Sequence, residues 1–191
     1  MIIIGITGTL GAGKGTIVEY LAEKKFFLHF SVRAFLLEEI RKQKLPENRD
    51  SMFSLANSLR AQHGSSYITD QLFIQALKTG RNCVIESIRT PGEIHSLRNK
   101  GNFTLFAVDA SPEIRYQRIK LRQSETDQIT FQTFLENEER EMNTADRNKQ
   151  NLRKCIDEAD FILWNNGTRD ELIEQVENIL REKIFQPFSK F

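Results

Sequence analysis

The chain has 191 residues, 39% of them hydrophobic and 28% charged, and its 27 Lys and Arg against 26 Asp and Glu leave a formal charge of +1. A chain this long buries roughly 70% of the surface that its unfolded form exposes, enough for one domain with a full core and no disulfides or structural metal. Near-neutral charge excludes a surface that coats polyanions broadly, because non-specific nucleic-acid binding needs clustered excess Lys and Arg, so any basic site is local.

Along the chain, short apolar runs alternate with longer segments of helical period, the pattern of a parallel sheet with helices on both faces. A strand over 2–7 leads through a glycine-rich loop into a helix over 15–25. A second strand over 26–30 precedes three helices, 33–43, 52–62 and 66–79, with Lys44-Leu45-Pro46-Glu47-Asn48 as a loop and Gly80 as a stop. A third strand over 82–86 and a helix over 91–99 follow, ended by Gly101. The fourth strand, 103–109, runs into a helix over 112–122 that Ser111-Pro112-Glu113 opens with an N-cap, a first-turn proline and an early acid. A helix over 131–142, a fifth strand over 160–164 and a helix over 169–183 capped by Thr168 complete the series. The near-continuous apolar character of IIIGI, CVIE, TLFAV and FILW is what strands covered on both faces require. The polar stretch 123–130 is the candidate for a movable flap, and neither a repeat nor an interdomain linker interrupts the chain.

Cys83 and Cys155 show no CxxC or Cys/His spacing and read as reduced core thiols, and His29, His63 and His95 are scattered without metal-ligand spacing. The opening MIIIGI is too short to span a bilayer and lacks the basic lead and cleavage site of a signal peptide, so a cytosolic protein is expected.

The strongest signal is GTLGAGKGT, from Gly8 to Thr16, between the first strand and the first helix. A loop that wraps a phosphate with its N–H groups pointing inward needs backbone angles and close approaches that side chains block. Lys14 then supplies a point charge to the β and γ phosphates, and the helix behind it adds unpaired N–H groups and a dipole. A plain glycine-rich turn is the alternative. The standard pattern has Ser or Thr directly after the lysine. Here Gly15 stands in that place and the hydroxyl comes one residue later, at Thr16.

This GKGT ending, with an extra glycine at Gly11, resembles the loop of adenylate kinase and related nucleoside-monophosphate kinases. The resemblance implies that Gly8, Leu10, Gly11, Ala12, Gly13, Lys14, Gly15 and Thr16 hold the phosphates of ATP, with Thr16 at the phosphate or in the Mg²⁺ shell. HFSVRAFL looks like the segment after the family's second strand, where Ser31 matches a serine that begins the first helix of the acceptor site. The family's Gly-Asp and basic residue do not follow; Arg33, Ala34 and Leu37 stand there, and Arg33 reads either as an acceptor contact or as an exposed helix-start arginine.

VIESIRTP resembles the family's Asp-Gly-Phe-Pro-Arg segment, shortened as in dephospho-coenzyme A kinase-like and small archaeal nucleotide-kinase-like proteins. Ligands of open α/β sheets sit beyond the carboxyl ends of the strands, which puts Glu86 and Arg89 near the loop phosphates. There a carboxylate can hold magnesium-bound water and a guanidinium can grip the acceptor phosphate; a helix-capping ion pair is the other reading. In LRAQHG, Arg60 reads equally as a phosphate clamp or as a solvated arginine. Arg115, Arg118 and Arg122 lie along one helix face and can converge on one anion, and Arg118 with Arg122 resembles the arginine pair at the base of the adenylate kinase lid. Solvated arginines, or pairing with Glu138, Glu139 and Glu141, are the alternative. The Asn166-Gly167-Thr168 turn resembles the family's turn past the adenine ring, although helix capping explains the same letters.

The resemblance implies one P-loop NTPase domain over 1–191: a five-stranded parallel sheet sandwiched by helices, an acceptor-site helical insert at about 31–79 and a short lid at about 115–145. It implies ATP-dependent phosphoryl transfer to a nucleoside or deoxynucleoside monophosphate or another phosphate-bearing metabolite. Lys14, Arg118 and Arg122 would act on the moving phosphoryl, Mg²⁺ would sit near Thr16 and Glu86, and Ser31, Arg33, Arg60, Glu86 and Arg89 would contact the acceptor. A dephospho-coenzyme A kinase, and a nucleotide-hydrolysing switch or RNA-associated ATPase, are the alternatives. Arg33 in place of an acid after the second strand favours a phosphate over a hydroxyl acceptor. Neither a membrane nor a broad nucleic-acid surface is expected as partner.

Overall fold

The computed structural model describes residues 1–122, 129–146 and 148–185. Its five apolar runs pair as one parallel sheet in the order β2-β3-β1-β4-β5, with β1 Ile2–Gly8, β2 Leu28–Ser31, β3 Cys83–Glu86, β4 Asn102–Asp109 and β5 Phe161–Trp164. The helices are α1 Lys14–Lys25, α2 Val32–Lys42, α3 Arg49–His63, α4 Tyr67–Thr79, α5 Pro91–Arg98, α6 Pro112–Leu121, α7 Phe131–Met142, α8 Leu152–Asp157 and α9 Arg169–Ile179, the last continued by a π-helical turn, Leu180–Ile184.

Alternation along the strands divides the core into two layers. Ile3, Ile85 and Leu105 face one side, under Leu36 of α2, Leu72 of α4 and Leu97 of α5. Ile4, Ile6, Val84, Phe106 and Val108 face the other, under Ile17 and Leu21 of α1 and Leu172 and Val176 of α9. Where both faces are covered, as in the central strands, a polar residue needs a partner, which is why β1, β3 and the middle of β4 are nearly continuously apolar. Burial of each of these side chains contributes about 1.5–3 kcal/mol, and packing on the sheet is what holds the short helices.

The element boundaries follow local chemistry. The second strand starts at Leu28 because Phe26 closes α1 in the left-handed region, at φ 60°. Helix α3 starts at Arg49, because the Asn48 side chain accepts from Ser51 N at 2.8 Å. Thr168 caps α9 in a reciprocal capping box with Glu171. Ser111 precedes Pro112 as expected but makes no side-chain cap bond; its N–H donates to Asn166 Oδ1 at 2.8 Å. Helix α8 lies where the sequence reading has no element. Of the expected flap, residues 123–128 lie outside the described residues, as do residues 186–191 of the C-terminal segment. Cys83 and Cys155 are buried free thiols, and burial raises the pKa of both, Cys83 to about 11. Among the described residues no helix is long and apolar enough to cross a membrane.

The strand order reverses direction at β1, which has β3 on one side and β4 on the other. The loops leaving the carboxyl ends of these three strands therefore open a crevice, the position at which open α/β sheets bind ligands.

Candidate active site

From β1 the chain passes to α1 through Gly8, Gly11 and Gly13, with φ of 137°, 80° and 111°. A Cβ on Gly11 would lie 2.5 Å from the Arg115 carbonyl oxygen, and one on Gly13 would lie 2.2 Å from Asn165 Nδ2. Conformation and neighbours both demand glycine at these two places. Gly15 differs: a Cβ there would meet nothing within 4 Å, so the protein's own packing does not require its smallness.

The Lys14 ammonium folds back on the loop, donating to Gly8 O at 2.9 Å and Thr9 O at 2.7 Å. Burial and then the charge of Arg89 lower its pKa from 10.5 to about 7, against the opposing pull of Glu86 and Glu141. One cavity of about 560 Å³ runs beside it, lined among the described residues by Lys14, Arg33, Arg60, Arg89, Arg118 and Arg122 and by three acids, Glu19, Glu86 and Glu141. Such an excess of cations in a partly enclosed site favours an anion.

Three struts fix the back of the loop. Thr9 Oγ1 donates to Asp109 Oδ1 at 2.6 Å, Asn165 Nδ2 donates to Ala12 O at 2.7 Å, and Arg115 Nη1 reaches Leu10 O at 3.4 Å. The sequence reading missed Thr9, Asp109 and Asn165 in this role, because their partners come from strands about a hundred residues or more away. Arg115 corrects an expectation. Buried, it is held by Ala110 O, by both carboxylate oxygens of Glu138 and by stacking on Phe134, and it does not line the cavity with Arg118 and Arg122.

Leu10, Gly11, Gly13, Lys14, Gly15 and Thr16 line the cavity, whereas Gly8 and Ala12 do not. Gly8 packs on Val108 and offers its carbonyl to Lys14; Ala12 is buried behind the loop. Ser31 also stands back. Its hydroxyl accepts from Ala34 N to cap α2 and donates to Glu86 Oε1 at 2.9 Å, so it orients the carboxylate rather than lining the cavity. Burial raises the Glu86 pKa, but His29, whose Nε2 lies 3.6 Å from Oε1, the hydrogen bond from Ser31 and the charge of Lys14 outweigh it and hold the carboxyl below its usual range. Gly167 likewise lies off the cavity, its carbonyl 3.4 Å from Arg118 Nη2, while Arg118 Nη1 donates to Asn165 O at 2.9 Å.

Glu86 and Arg89 do not pair with each other in a helix cap. Thr90 and Glu93 form the capping box of α5, and Arg89 Nη1 lies 3.1 Å from Glu141 Oε2 of α7. Nor is Arg60 solvated: its side chain is 1% exposed and pairs with the fully buried Glu93 at 3.0 Å. Between β3 and this region Ser87 adopts φ 68°, and Ile88 N donates to Ile6 O at 3.1 Å, tying the segment back to β1. Among the described residues no group of three or more His, Cys, Asp and Glu could hold a metal. A divalent ion beside Thr16 and Glu86 would complete its shell with phosphate oxygens and water, which is how Mg²⁺ binds.

Residues 4–146 match the profile of a family described as AAA domain. A UPF0200 protein of Methanococcus maripaludis strain C7 is 31% identical over 188 residues, covering 96% of this chain and 98% of that protein. The crystal structure of TT1252 from Thermus thermophilus superposes with a TM-score of 0.60 at 20% identity, covering 95% of this chain and 97% of that one. A shikimate kinase from Bacteroides thetaiotaomicron superposes at 0.53 with 14% identity, covering 94% and 96%. Sheet order, phosphate-binding loop and these matches converge, and the chain belongs to the UPF0200 family of P-loop kinase-like proteins.

Proposed function

We propose that the protein is an ATP-dependent kinase that transfers a phosphoryl group to a small phosphate-bearing acceptor, a nucleoside or deoxynucleoside monophosphate in the first instance. The observation that carries this reading is the Lys14 ammonium beside the Gly8–Thr16 loop, in a cavity that Arg33, Arg60, Arg89, Arg118 and Arg122 also line. In this reading Arg118 and Arg122, from α6 and its C-cap, serve the donor, and Arg33, Arg60 and Arg89, from the β2–α3 and β3–α5 segments, serve the acceptor.

In this reading the loop N–H groups and Lys14 hold the β and γ phosphates, and Lys14 exchanges its two carbonyl contacts for phosphate oxygens. Arg118 and Arg122 meet the charge on the transferred group. Phosphoryl transfer asks for such positioning and charge stabilisation more than for a covalent group. Thr16 and Glu86 would hold Mg²⁺, which would supply neutralisation of the phosphate charge. Ser31 keeps Glu86 turned to that place, and Arg89 grips the acceptor anion.

The ionised Glu86 beside Lys14 favours a second reading, in which the acceptor presents a hydroxyl, as a dephospho-coenzyme A would, and the carboxylate accepts its proton. The test is ADP release from ATP and Mg²⁺ across nucleoside monophosphates, dephospho-coenzyme A and hydroxylated acids. Release that requires a monophosphate supports the first reading, and release that requires a hydroxyl acceptor supports the second. Steady ATP hydrolysis indifferent to every acceptor contradicts both and indicates a nucleotide-hydrolysing switch.

A further inference from the structure

Asn165 directly follows β5, is buried, and divides its carboxamide between two parts of the site. Nδ2 donates to Ala12 O of the phosphate-binding loop at 2.7 Å, and Oδ1 lies 3.3 Å from Arg118 Nη2 of α6. The backbone doubles both links. Arg118 Nη1 donates to Asn165 O at 2.9 Å, and Asn165 N donates to Asp109 O at 2.8 Å, the residue whose carboxylate accepts from Thr9.

The amide fits in one orientation. Turning it over would set Oδ1 against the Ala12 carbonyl and the amide hydrogens against a guanidinium, replacing two attractions by two repulsions. The loop is shaped around it too, since a Cβ on Gly13 would lie 2.2 Å from Nδ2. With the two ends of a buried amide met by different elements, a shift of the loop or of α6 leaves a polar group unmade. Arg118 lines the cavity while Asn165 O, Asn165 Oδ1 and Gly167 O accept from it. A long, flexible side chain is thus ordered before any ligand arrives, and the entropy of fixing it is not lost on binding.

We propose that Asn165 is a positioning residue with two arms: its Nδ2 holds the loop for nucleotide binding in general, and its Oδ1 presents Arg118 to the terminal phosphate of a nucleoside triphosphate. Giving Arg118 that phosphate rests on the phosphotransfer reading; the two-armed link follows from the geometry. Asn165 touches no phosphate itself. Preference for a triphosphate over a diphosphate therefore depends on a residue that acts only through its neighbours.

The test is calorimetric titration of ADP and of β,γ-methylene ATP, each with Mg²⁺, into the wild-type protein and four variants: Asn165→Asp, Asn165→Ala, Arg118→Met, and Asn165→Ala with Arg118→Met. Arg118→Met weakens the triphosphate analogue about tenfold and ADP less than about threefold. Asn165→Asp keeps an oxygen for Arg118 but turns a carboxylate towards Ala12 O, so it weakens both nucleotides by a similar factor, about fivefold or more. Asn165→Ala weakens both and costs the analogue about tenfold beyond ADP. In the double variant this extra loss is no larger than in Arg118→Met alone, because the arm works only through the arginine. A merely structural Asn165 would lower the melting temperature in Asn165→Ala and leave the ratio of the two affinities unchanged. That unchanged ratio overturns the proposal, as do extra losses that multiply in the double variant. Without a folded Asn165→Ala, an unchanged ratio in Arg118→Met, or wild-type affinities in Asn165→Asp, overturns it equally. A wild-type protein that binds neither nucleotide contradicts the phosphotransfer reading instead.

Discussion

At the scale of single residues, Lys14 makes the sharpest demand. With its pKa at about 7 against 10.5 in an unfolded chain, the folded protein holds fewer protons than the unfolded one between those values. Stability from this group therefore rises with pH across that window, and its penalty is fully present below pH 7. A phosphate stabilises the charged form and raises the pKa, so binding above pH 7 takes up a proton. ADP affinity is expected to fall above pH 7 by up to about tenfold per unit, and calorimetry in buffers of different ionisation enthalpy detects the proton. Lys14→Ala loses both the affinity and the proton uptake; a pH-independent affinity with no uptake contradicts the assignment.

Two neighbouring glycines separate backbone demand from ligand demand. Gly13→Ala forces a Cβ to 2.2 Å from Asn165 Nδ2 at a φ of 111°, and is expected to lower stability by about 1–3 kcal/mol. Gly15→Ala sits in open space within α1 and is expected to raise it by about 0.5–1 kcal/mol, measured by urea unfolding. This loop is legible in sequence because its constraints act on consecutive residues. Arg60 with Glu93 and Asn165 with Ala12 are not, since each pair meets only once the sheet has formed.

At the scale of elements, two arginines pin α7 to the rest of the site: Arg115 through Glu138, and Arg89 through Glu141. Glu138→Gln weakens the hold on a buried guanidinium that also braces Leu10 O. Faster amide exchange over 131–142, together with weaker ADP binding, is the expected result; exchange equal to wild type would show that α7 is held some other way. For α9, Thr168→Ala removes the cap bond to Glu171 N and is expected to cost about 0.5–2 kcal/mol, a fall of a few degrees in melting temperature. Helices this regular announce themselves by caps and period. Helix α8 does not, because six residues complete fewer than two turns, and Arg153, Lys154 and Asp157 mask the inward Leu152, Cys155 and Ile156. The central strands β1, β3 and β4 are legible for the opposite reason: cover on both faces leaves few polar letters in them, whereas β5, at the sheet edge, is apolar although Ile162 and Trp164 are exposed.

For the whole molecule, near-zero net charge conceals a strong local imbalance. Among the described residues, six cations and three acids line one cavity at the strand switch point, where the sheet order places the ends of β1 and β3 side by side. The likeness to the solved structures shows the fold alone, and in the proposed function the acceptor half depends on pairs such as Arg60 with Glu93 that no motif encodes. The most direct measurement is transfer of labelled γ-phosphate from ATP to an acceptor by the wild-type protein and by Lys14→Ala. Acceptor-dependent transfer by the wild type, reduced a hundredfold or more (about 3 kcal/mol) in the variant, is the predicted result. Equal transfer by both proteins, or no transfer to any phosphate-bearing or hydroxylated acceptor, would contradict it.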